Sequence, residues 1–139
     1  MSNVIDLDSS YFHLRDTRAE TMPGGAAFWA RLAGGDLELS GWLVATFDFP
    51  DRGDLDGGHS EVHPNGDELL ICLAGSMTAV LEHPDGEERM EFAAGQVCFI
   101  PAGTWHRVAP NEAGRMLSLT FGDGTEHRPT RPAAVGAGR

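Results

Sequence analysis

The sequence contains no lysine, because all ten basic residues among its 139 are arginine. This absence excludes three kinds of chemistry that need a lysine amine: Schiff-base formation with a carbonyl substrate, phosphate binding by a P-loop lysine, and proton abstraction by a lysine base. Genome composition explains the absence more simply than function does. It therefore restricts the mechanism without identifying one.

Positive charge is also scarce, and this limits the partners. Twenty-one acidic residues outweigh the basic ones and give a formal net charge of −11. Nucleic acids and anionic membrane surfaces carry the same sign, so we expect neither as the main partner. No apolar run approaches the ~18 residues of a membrane span, and the N-terminus has acids where a signal peptide needs basic residues. We therefore expect a cytoplasmic protein.

Cysteine is rare as well. Cys72 and Cys98 both lie inside apolar runs, and neither belongs to a C-x-x-C pair. This placement predicts two buried, reduced thiols and not a disulfide or a metal knuckle.

Short apolar runs separated by glycine- and proline-containing turns predict an all-β sandwich or barrel. The 18 glycines and 8 prolines supply these turns, and one of them, a tight turn, is expected at Ala74-Gly75-Ser76. No helix of ten or more residues is expected after residue 33. Predicted strands cover residues 37–49, 68–73, 77–83, 87–92, 97–100, 105–109 and 115–121.

The chain is expected to divide into three parts. Residues 1–35 form an N-terminal arm that packs on the barrel or exchanges with a second subunit. Residues 36–121 form the barrel itself. Residues 122–139 are rich in glycine, proline and alanine without apolar periodicity, so we expect a flexible, disordered C-terminal tail.

Histidine and glutamate concentrate in one stretch. Side chains two positions apart share a face of an extended chain, so His59, Glu61 and His63 are predicted to point the same way. If residues 64–67 then turn the chain back as an antiparallel hairpin, Glu68 lies opposite His63. Imidazole and carboxylate groups together suit Fe, Mn, Ni, Zn or Cu. An exposed, merely polar loop edge explains this stretch equally well.

A second stretch, GQVCFIPAGTWH at residues 95–106, favours the metal interpretation. It places His106 three residues after a Pro-x-Gly turn, at the start of a predicted strand. With this stretch the sequence resembles the cupins. Their first motif, G-x5-H-x-H-x3,4-E-x6-G, is matched in its second half by His63, Glu68 and Gly75. Their second motif, G-x5-P-x-G-x2-H-x3-N, is matched by Gly95, Pro101, Gly103 and His106, with Pro110 in place of the final asparagine.

The resemblance implies a double-stranded β-helix, the jelly-roll barrel of the cupins, with one divalent transition metal (Fe, Mn, Ni, Zn or Cu) in its mouth. It implies His63, Glu68 and His106 as three metal ligands. Glu61 occupies the position of the first histidine of the H-x-H pair and would be the fourth ligand, since a carboxylate binds the same metals. Alternatively, His59 replaces Glu61 or supports it from behind, or the site is vacant.

The implied function is a metal-dependent enzyme acting on a small organic molecule, of a dioxygenase or an isomerase/lyase type. Whichever of His59 and Glu61 is not bound to metal would be its catalytic acid or base. Two alternatives stay open: a non-catalytic module that binds a metal or small ligand, and a metal-free sugar-modifying cupin in which His63 is a base. The resemblance also implies a homodimer. The remaining histidines, His13, His83 and His127, are expected to pack or to face solvent.

Overall fold

The computed structural model describes residues 3–130 as a nearly all-β protein, which confirms the predicted fold class. The one α-helix within these residues is short and precedes the barrel. The elements are β1 (Ser10–Arg15), β2 (Arg18–Pro23), α1 (Ala26–Ala33), β3 (Trp42–Phe49), β4 (His59–Val62), β5 (Glu68–His83), β6 (Gly86–Ala93), β7 (Val97–Ile100), β8 (Trp105–Phe121) and β9 (Glu126–Pro129).

Two long strands, β5 and β8, pair along most of their length and take part in both sheets of the barrel. One sheet has the order β2-β1-β3-β8-β5-β7 and uses the C-terminal half of β8. The other has the order β9-β4-β8-β5-β6 and uses its N-terminal half. All these pairings are antiparallel, as expected of the jelly roll.

The predicted tight turn at Ala74-Gly75-Ser76 is wrong, because β5 continues through it as a β-bulge. The register between β5 and β8 shifts between Cys72 and Met77, where both strands bend from one sheet into the other. A Cβ on Gly114 would lie 1.8 Å from the carbonyl oxygen of Ala74, so only glycine allows this close approach. Because β8 also continues through the bulge, the strands predicted at residues 105–109 and 115–121 form one strand.

The main core lies between the two sheets. Alternate residues of β5 point into it, and Glu68, Leu70 and Cys72 are all buried, as their spacing predicts. Both cysteines are free and buried, as expected. Within residues 3–130, no helix is long and apolar enough to cross a membrane.

The N-terminal segment packs on the barrel of its own chain. Strands β1 and β2 form a hairpin, and Phe12 to Leu14 of β1 pair with β3. Helix α1 packs on one face of this sheet, where Phe28 lies edge-on against Tyr11 with ring centroids 4.9 Å apart. Exchange of this arm with a second subunit stays a prediction.

The predicted tail contains an ordered strand. Residues 126–129 form β9, which pairs with all four residues of β4, so the expected disorder is wrong for this segment. Low apolar content misled the prediction, because β9 is held mainly by backbone pairing and by charged side chains. Residues 131–139 of the predicted tail lie outside the described residues.

Candidate metal centre

Two glutamates and two histidines meet between the sheets at one end of the barrel. Glu61 lies in β4, His63 directly follows β4, Glu68 opens β5 and His106 lies near the start of β8. One donor atom from each lies within 4.8 Å of the other three. Donors bound to one metal at ~2.1 Å lie at most ~4.2 Å apart, so the cluster needs to contract only slightly.

Strand pairing brings the four together, but not by the predicted hairpin. β4 pairs with β8 and β9, and Glu61 is the direct partner of His106. Glu68 instead pairs with Ile100 and Thr120 in the other sheet. The turn at residues 64–67 therefore carries the chain from one sheet to the other, and His63 reaches Glu68 across the core.

Hydrogen bonds fix the orientation of both imidazole rings. His106 Nδ1 lies 2.9 Å from the carbonyl oxygen of Thr104, which only accepts, so this nitrogen carries a proton. His63 Nδ1 lies 2.8 Å from Thr125 Oγ1. That hydroxyl donates its own proton to the Gly122 carbonyl oxygen at 2.7 Å, so it accepts from His63. In both neutral rings Nε2 is therefore the unprotonated nitrogen.

The two Nε2 atoms face carboxylate oxygens. Glu68 Oε1 lies 3.1 Å from His106 Nε2, and Glu68 Oε2 lies 3.3 Å from His63 Nε2. Glu61 Oε1 lies 3.2 Å from His63 Nε2 and 3.5 Å from His106 Nε2. Despite these distances, neither buried Nε2 makes a hydrogen bond of acceptable angle.

This arrangement fits a divalent cation. Two buried lone pairs beside carboxylate oxygens are unfavourable unless something positive lies between them. Two neutral imidazoles and two carboxylates supply a net charge of −2, which a divalent ion neutralises. The donor types suit Fe, Mn, Ni, Zn or Cu without choosing among them.

Without a metal, protons take the place of the cation. Burial by itself lowers the pKa of each imidazole, but the contacts with Glu61 and Glu68 outweigh it and raise the pKa of His63 to about 9 and that of His106 to about 10. Burial likewise opposes ionisation of both carboxyl groups, yet the two histidines hold the pKa of Glu61 and of Glu68 below its usual range.

Two groups that the sequence did not predict support the glutamates. Thr120 Oγ1 donates to Glu68 Oε2 at 2.5 Å. His127, expected to be solvated, lies in β9 with its Nε2 3.2 Å from Glu61 Oε2, although its side chain is 61% exposed. The signal available for His127 was weak, because its place depends on the pairing of β9 with β4.

The other histidines stay outside the cluster. His59 is exposed, and its Nδ1 lies 3.1 Å from the carbonyl oxygen of Gly57, so the structure does not bring it to the other four residues. His83 contacts Glu88 near the end of a hairpin. His13 is buried, and its Nε2 accepts the backbone N–H of Gly41 at 2.9 Å, which agrees with the expected packing role.

Asp56 is a further, half-buried acid near the centre. Its Oδ2 accepts the backbone N–H of Val108 at 2.7 Å, two residues beyond His106 in β8. Burial raises its pKa to about 7, against the lowering effect of that hydrogen bond, and the charge of Glu61 raises it further. The sequence marked the loop at residues 51–56 only as acidic.

The chain belongs to the cupin domain family, which matches residues 52–121 and so includes all four residues of the cluster. The match covers half of the chain. It ends before β9, so Thr125 and His127 lie beyond the family's common part. No curated protein matches this sequence.

Several solved structures align with this chain. A cupin superfamily protein from Desulfitobacterium hafniense aligns with a TM-score of 0.49 and 21% identity, over 60% of this chain and 70% of that one. Peruvianin-I, a cysteine peptidase from Thevetia peruviana latex, aligns with a TM-score of 0.52 and 14% identity, over 65% and 57%. An oxalate oxidase in complex with the substrate analogue glycolate aligns with a TM-score of 0.51 and 17% identity, over 61% and 45%.

At such identities the likeness concerns the fold alone. This chain also spans less than half of the oxalate oxidase that it matches. The activity named for that enzyme is therefore not assigned to this protein by resemblance.

Proposed function

We propose that the protein binds one divalent transition metal through Glu61, His63, Glu68 and His106 and acts as a metal-dependent enzyme on a small organic molecule. The observation that carries this proposal is the pair of buried Nε2 atoms without hydrogen-bond partners, both on rings whose Nδ1 is already engaged. A protein that needed these histidines only for packing would satisfy both nitrogens.

A bound metal would supply a Lewis acid that polarises a carboxylate, enolate or diol oxygen of the substrate, or a redox centre for oxygen. The chain's own residues hold the donors in place and exclude water. His63 and His106 are 5% and 1% exposed. Glu61, with a quarter of its side chain exposed, forms the side of the cluster that solvent can approach.

The metal-free alternative is disfavoured. His63 would be the base of a sugar-modifying cupin, but its Nδ1 is bonded to Thr125 and its Nε2 faces Glu61 and Glu68. A base whose free nitrogen is buried between two carboxylates is poorly placed to take a proton from a substrate. The predicted catalytic roles of His59 and Glu61 stay predictions, and the position of His59 outside the cluster does not support its role.

The reaction type can be tested on metal-loaded protein. The protein reconstituted with each of the five metals is incubated with small carboxylates, including oxalate and glycolate, and with diols, while oxygen uptake and products are followed. Oxygen uptake with product formation supports the dioxygenase type, and product without oxygen uptake supports the isomerase or lyase type. Metal binding without turnover of any of these molecules favours the non-catalytic module.

We also propose that the protein is a homodimer, on a specific structural observation. The outer face of the sheet formed by β3, β8, β5 and β7 is apolar, whereas a sheet face exposed to water is normally polar. In this face Leu73, Val97 and Phe99 are 43%, 52% and 52% exposed. Its members, placed together by strand register, are Trp42, Val44, Leu69, Ile71, Leu73, Val97, Phe99, Leu117, Leu119 and Phe121.

A second copy of this chain is the proposed occupant of the apolar face. The chain carries a net charge of −11, which makes two copies repel each other, whereas the ten residues of this face are uncharged. Asp48 and Arg115, which are partners in the β3–β8 register, lie on the same side of the sheet at the edge of this face. A contact made through the apolar face keeps the acidic surfaces of the two copies apart. Because the face is the same in both copies, it can form a two-fold symmetric interface.

A further inference from the structure

Strand β9 lies beside the candidate metal centre. It pairs antiparallel with β4, and His127 is the direct partner of Glu61. It lies beyond residues 52–121, which match the family. We call residues 125–129 the strap; they comprise Thr125 and the strand β9 that follows it.

One side of the strap contacts two of the four proposed ligands. Thr125 Oγ1 accepts the Nδ1 proton of His63 at 2.8 Å, and this fixes which ring nitrogen faces the cluster. His127 Nε2 lies 3.2 Å from Glu61 Oε2, while Oε1 of the same carboxylate faces the two histidines of the cluster. The two oxygens of Glu61 therefore have different partners.

The other side of the strap is anchored to the barrel. Arg128 donates to Glu82 Oε1 at 2.8 Å, and its guanidinium lies 4.0 Å from the centre of the Trp105 ring. Glu82 is almost fully buried and also accepts from Ser60 at 2.5 Å and from Arg107 at 2.6 Å. Charge-assisted bonds to a buried carboxylate are strong, so they hold the strap against β4.

These contacts explain how the chain accommodates a glutamate where the family motif has a histidine. A carboxylate has two equivalent oxygens on a flexible side chain, so it needs an outside partner to present one of them consistently. We propose that the strap orients the metal ligands and that His127 is the positioning residue for Glu61, holding Oε2 so that Oε1 is directed at the metal. This inference rests on the proposed metal site.

The test measures metal affinity, by competition with a chelator for Mn²⁺ and for Co²⁺, in the full chain. Partners that orient metal ligands typically contribute ~10–100-fold in affinity. Because His127 is exposed, we expect His127→Ala to weaken binding by about tenfold, near the low end, and His127→Gln to restore part of it. Thr125→Val, which removes the hydrogen-bond acceptor of His63 Nδ1, should weaken binding more. The matched control is His83→Ala, which removes another solvent-accessible histidine with a glutamate partner.

A second experiment separates positioning from general stability. In a Glu61→His background the carboxylate is absent, so His127→Ala should no longer change the affinity, whereas Thr125→Val should still weaken it. Thermal unfolding of the metal-free variants checks that each remains folded. If His127→Ala costs the same affinity with glutamate or histidine at position 61, the strap acts only on stability and the inference is wrong.

The outcomes distinguish this inference from the proposed function. If the unmodified protein binds none of Fe, Mn, Ni, Zn or Cu, as isolated or after reconstitution, the metal site itself fails. If it binds metal and His127→Ala behaves like His83→Ala, only the role of the strap is contradicted.

Discussion

The backbone N–H of Gly103 donates to the carbonyl oxygen of His63 at 3.0 Å and so joins two motifs that are forty residues apart in the chain. Gly103 has a φ of +78°, a conformation that favours glycine. A second bond, from the Ala102 N–H to Asp67 Oδ1 at 2.8 Å, holds the same turn. The turn before His106 is thereby fixed to the segment that carries His63 and Glu68.

The identity of the fourth ligand can be decided by two substitutions. Glu61→Ala removes a donor from the cluster, so it should lower metal affinity by more than the ~10–100-fold expected for a merely orienting partner. His59→Ala should leave the affinity unchanged, because this ring lies outside the cluster. Chelator competition measures both. A larger loss with His59→Ala than with Glu61→Ala would reverse the assignment.

The stability of metal-free protein should fall as the pH rises. The native state holds protons on His63 and His106 up to pH values of about 9 and about 10, whereas these groups release them near pH 6.5 when unfolded. The native state thus binds more protons in this window. Their contribution is complete below pH 6.5 and is lost as the pH passes the native pKa values.

Thermal unfolding of chelator-treated and metal-loaded protein between pH 6 and 10 measures this effect. The melting temperature of the metal-free form should decrease across that range, and metal loading should remove much of the decrease because the cation replaces the protons. Parallel curves for the two forms would contradict this account of the cluster.

Asp56 should destabilise the protein at neutral and alkaline pH. Its pKa is raised from 3.8 to about 7 by burial, so the native state holds a proton that the unfolded chain releases, and stability falls as the pH rises through this window. Asp56→Asn keeps an acceptor for the Val108 N–H without the charge. We expect it to increase the free energy of unfolding at pH 8 by an amount of the order of 1–3 kcal/mol.

Chemical denaturation of the metal-free protein at pH 8 and at pH 4 checks this prediction. The gain from Asp56→Asn should become small at pH 4, where the native carboxyl is protonated and the unfolded one, with a pKa of 3.8, is about half protonated. A gain of the same size at both pH values would mean that ionisation of Asp56 is not its cause.

The apolar face should control association. Phe99→Glu places a charge on this face, in its edge strand β7, and should convert the dimer to a monomer, which light scattering after size-exclusion chromatography detects. Gln96→Glu adds the same charge just before β7, at a side chain that accepts the Ala93 N–H instead, and should leave the dimer intact. A monomeric unmodified protein, or a dimer that persists with Phe99→Glu, would exclude this interface.

How much the sequence could predict depended on whether the signal was local. Motif spacing identified Glu61, His63, Glu68 and His106 as a group, and the structure brings these four together. The predicted hairpin from His63 to Glu68 was wrong, because the chain passes from one sheet to the other at residues 64–67. Nothing in the sequence of this turn indicates that change of sheet.

Non-local features escaped prediction for a related reason. The bulge at Gly75 has the composition of a tight turn, and only the partner strand distinguishes the two. The position of His127 depends on the pairing of β9 with β4. Its partner in β4, Glu61, lies sixty-six residues earlier in the chain. Such pairings have no periodic pattern in a strand of four residues.

The most direct test of the central claim is metal analysis of protein purified without an affinity tag and of its variants. We expect close to one equivalent of a transition metal per chain, bound as isolated or after reconstitution. His63→Ala and His106→Ala should each abolish binding, while His83→Ala retains it. Less than about a tenth of an equivalent in the unmodified protein, with no binding on reconstitution, would contradict the account.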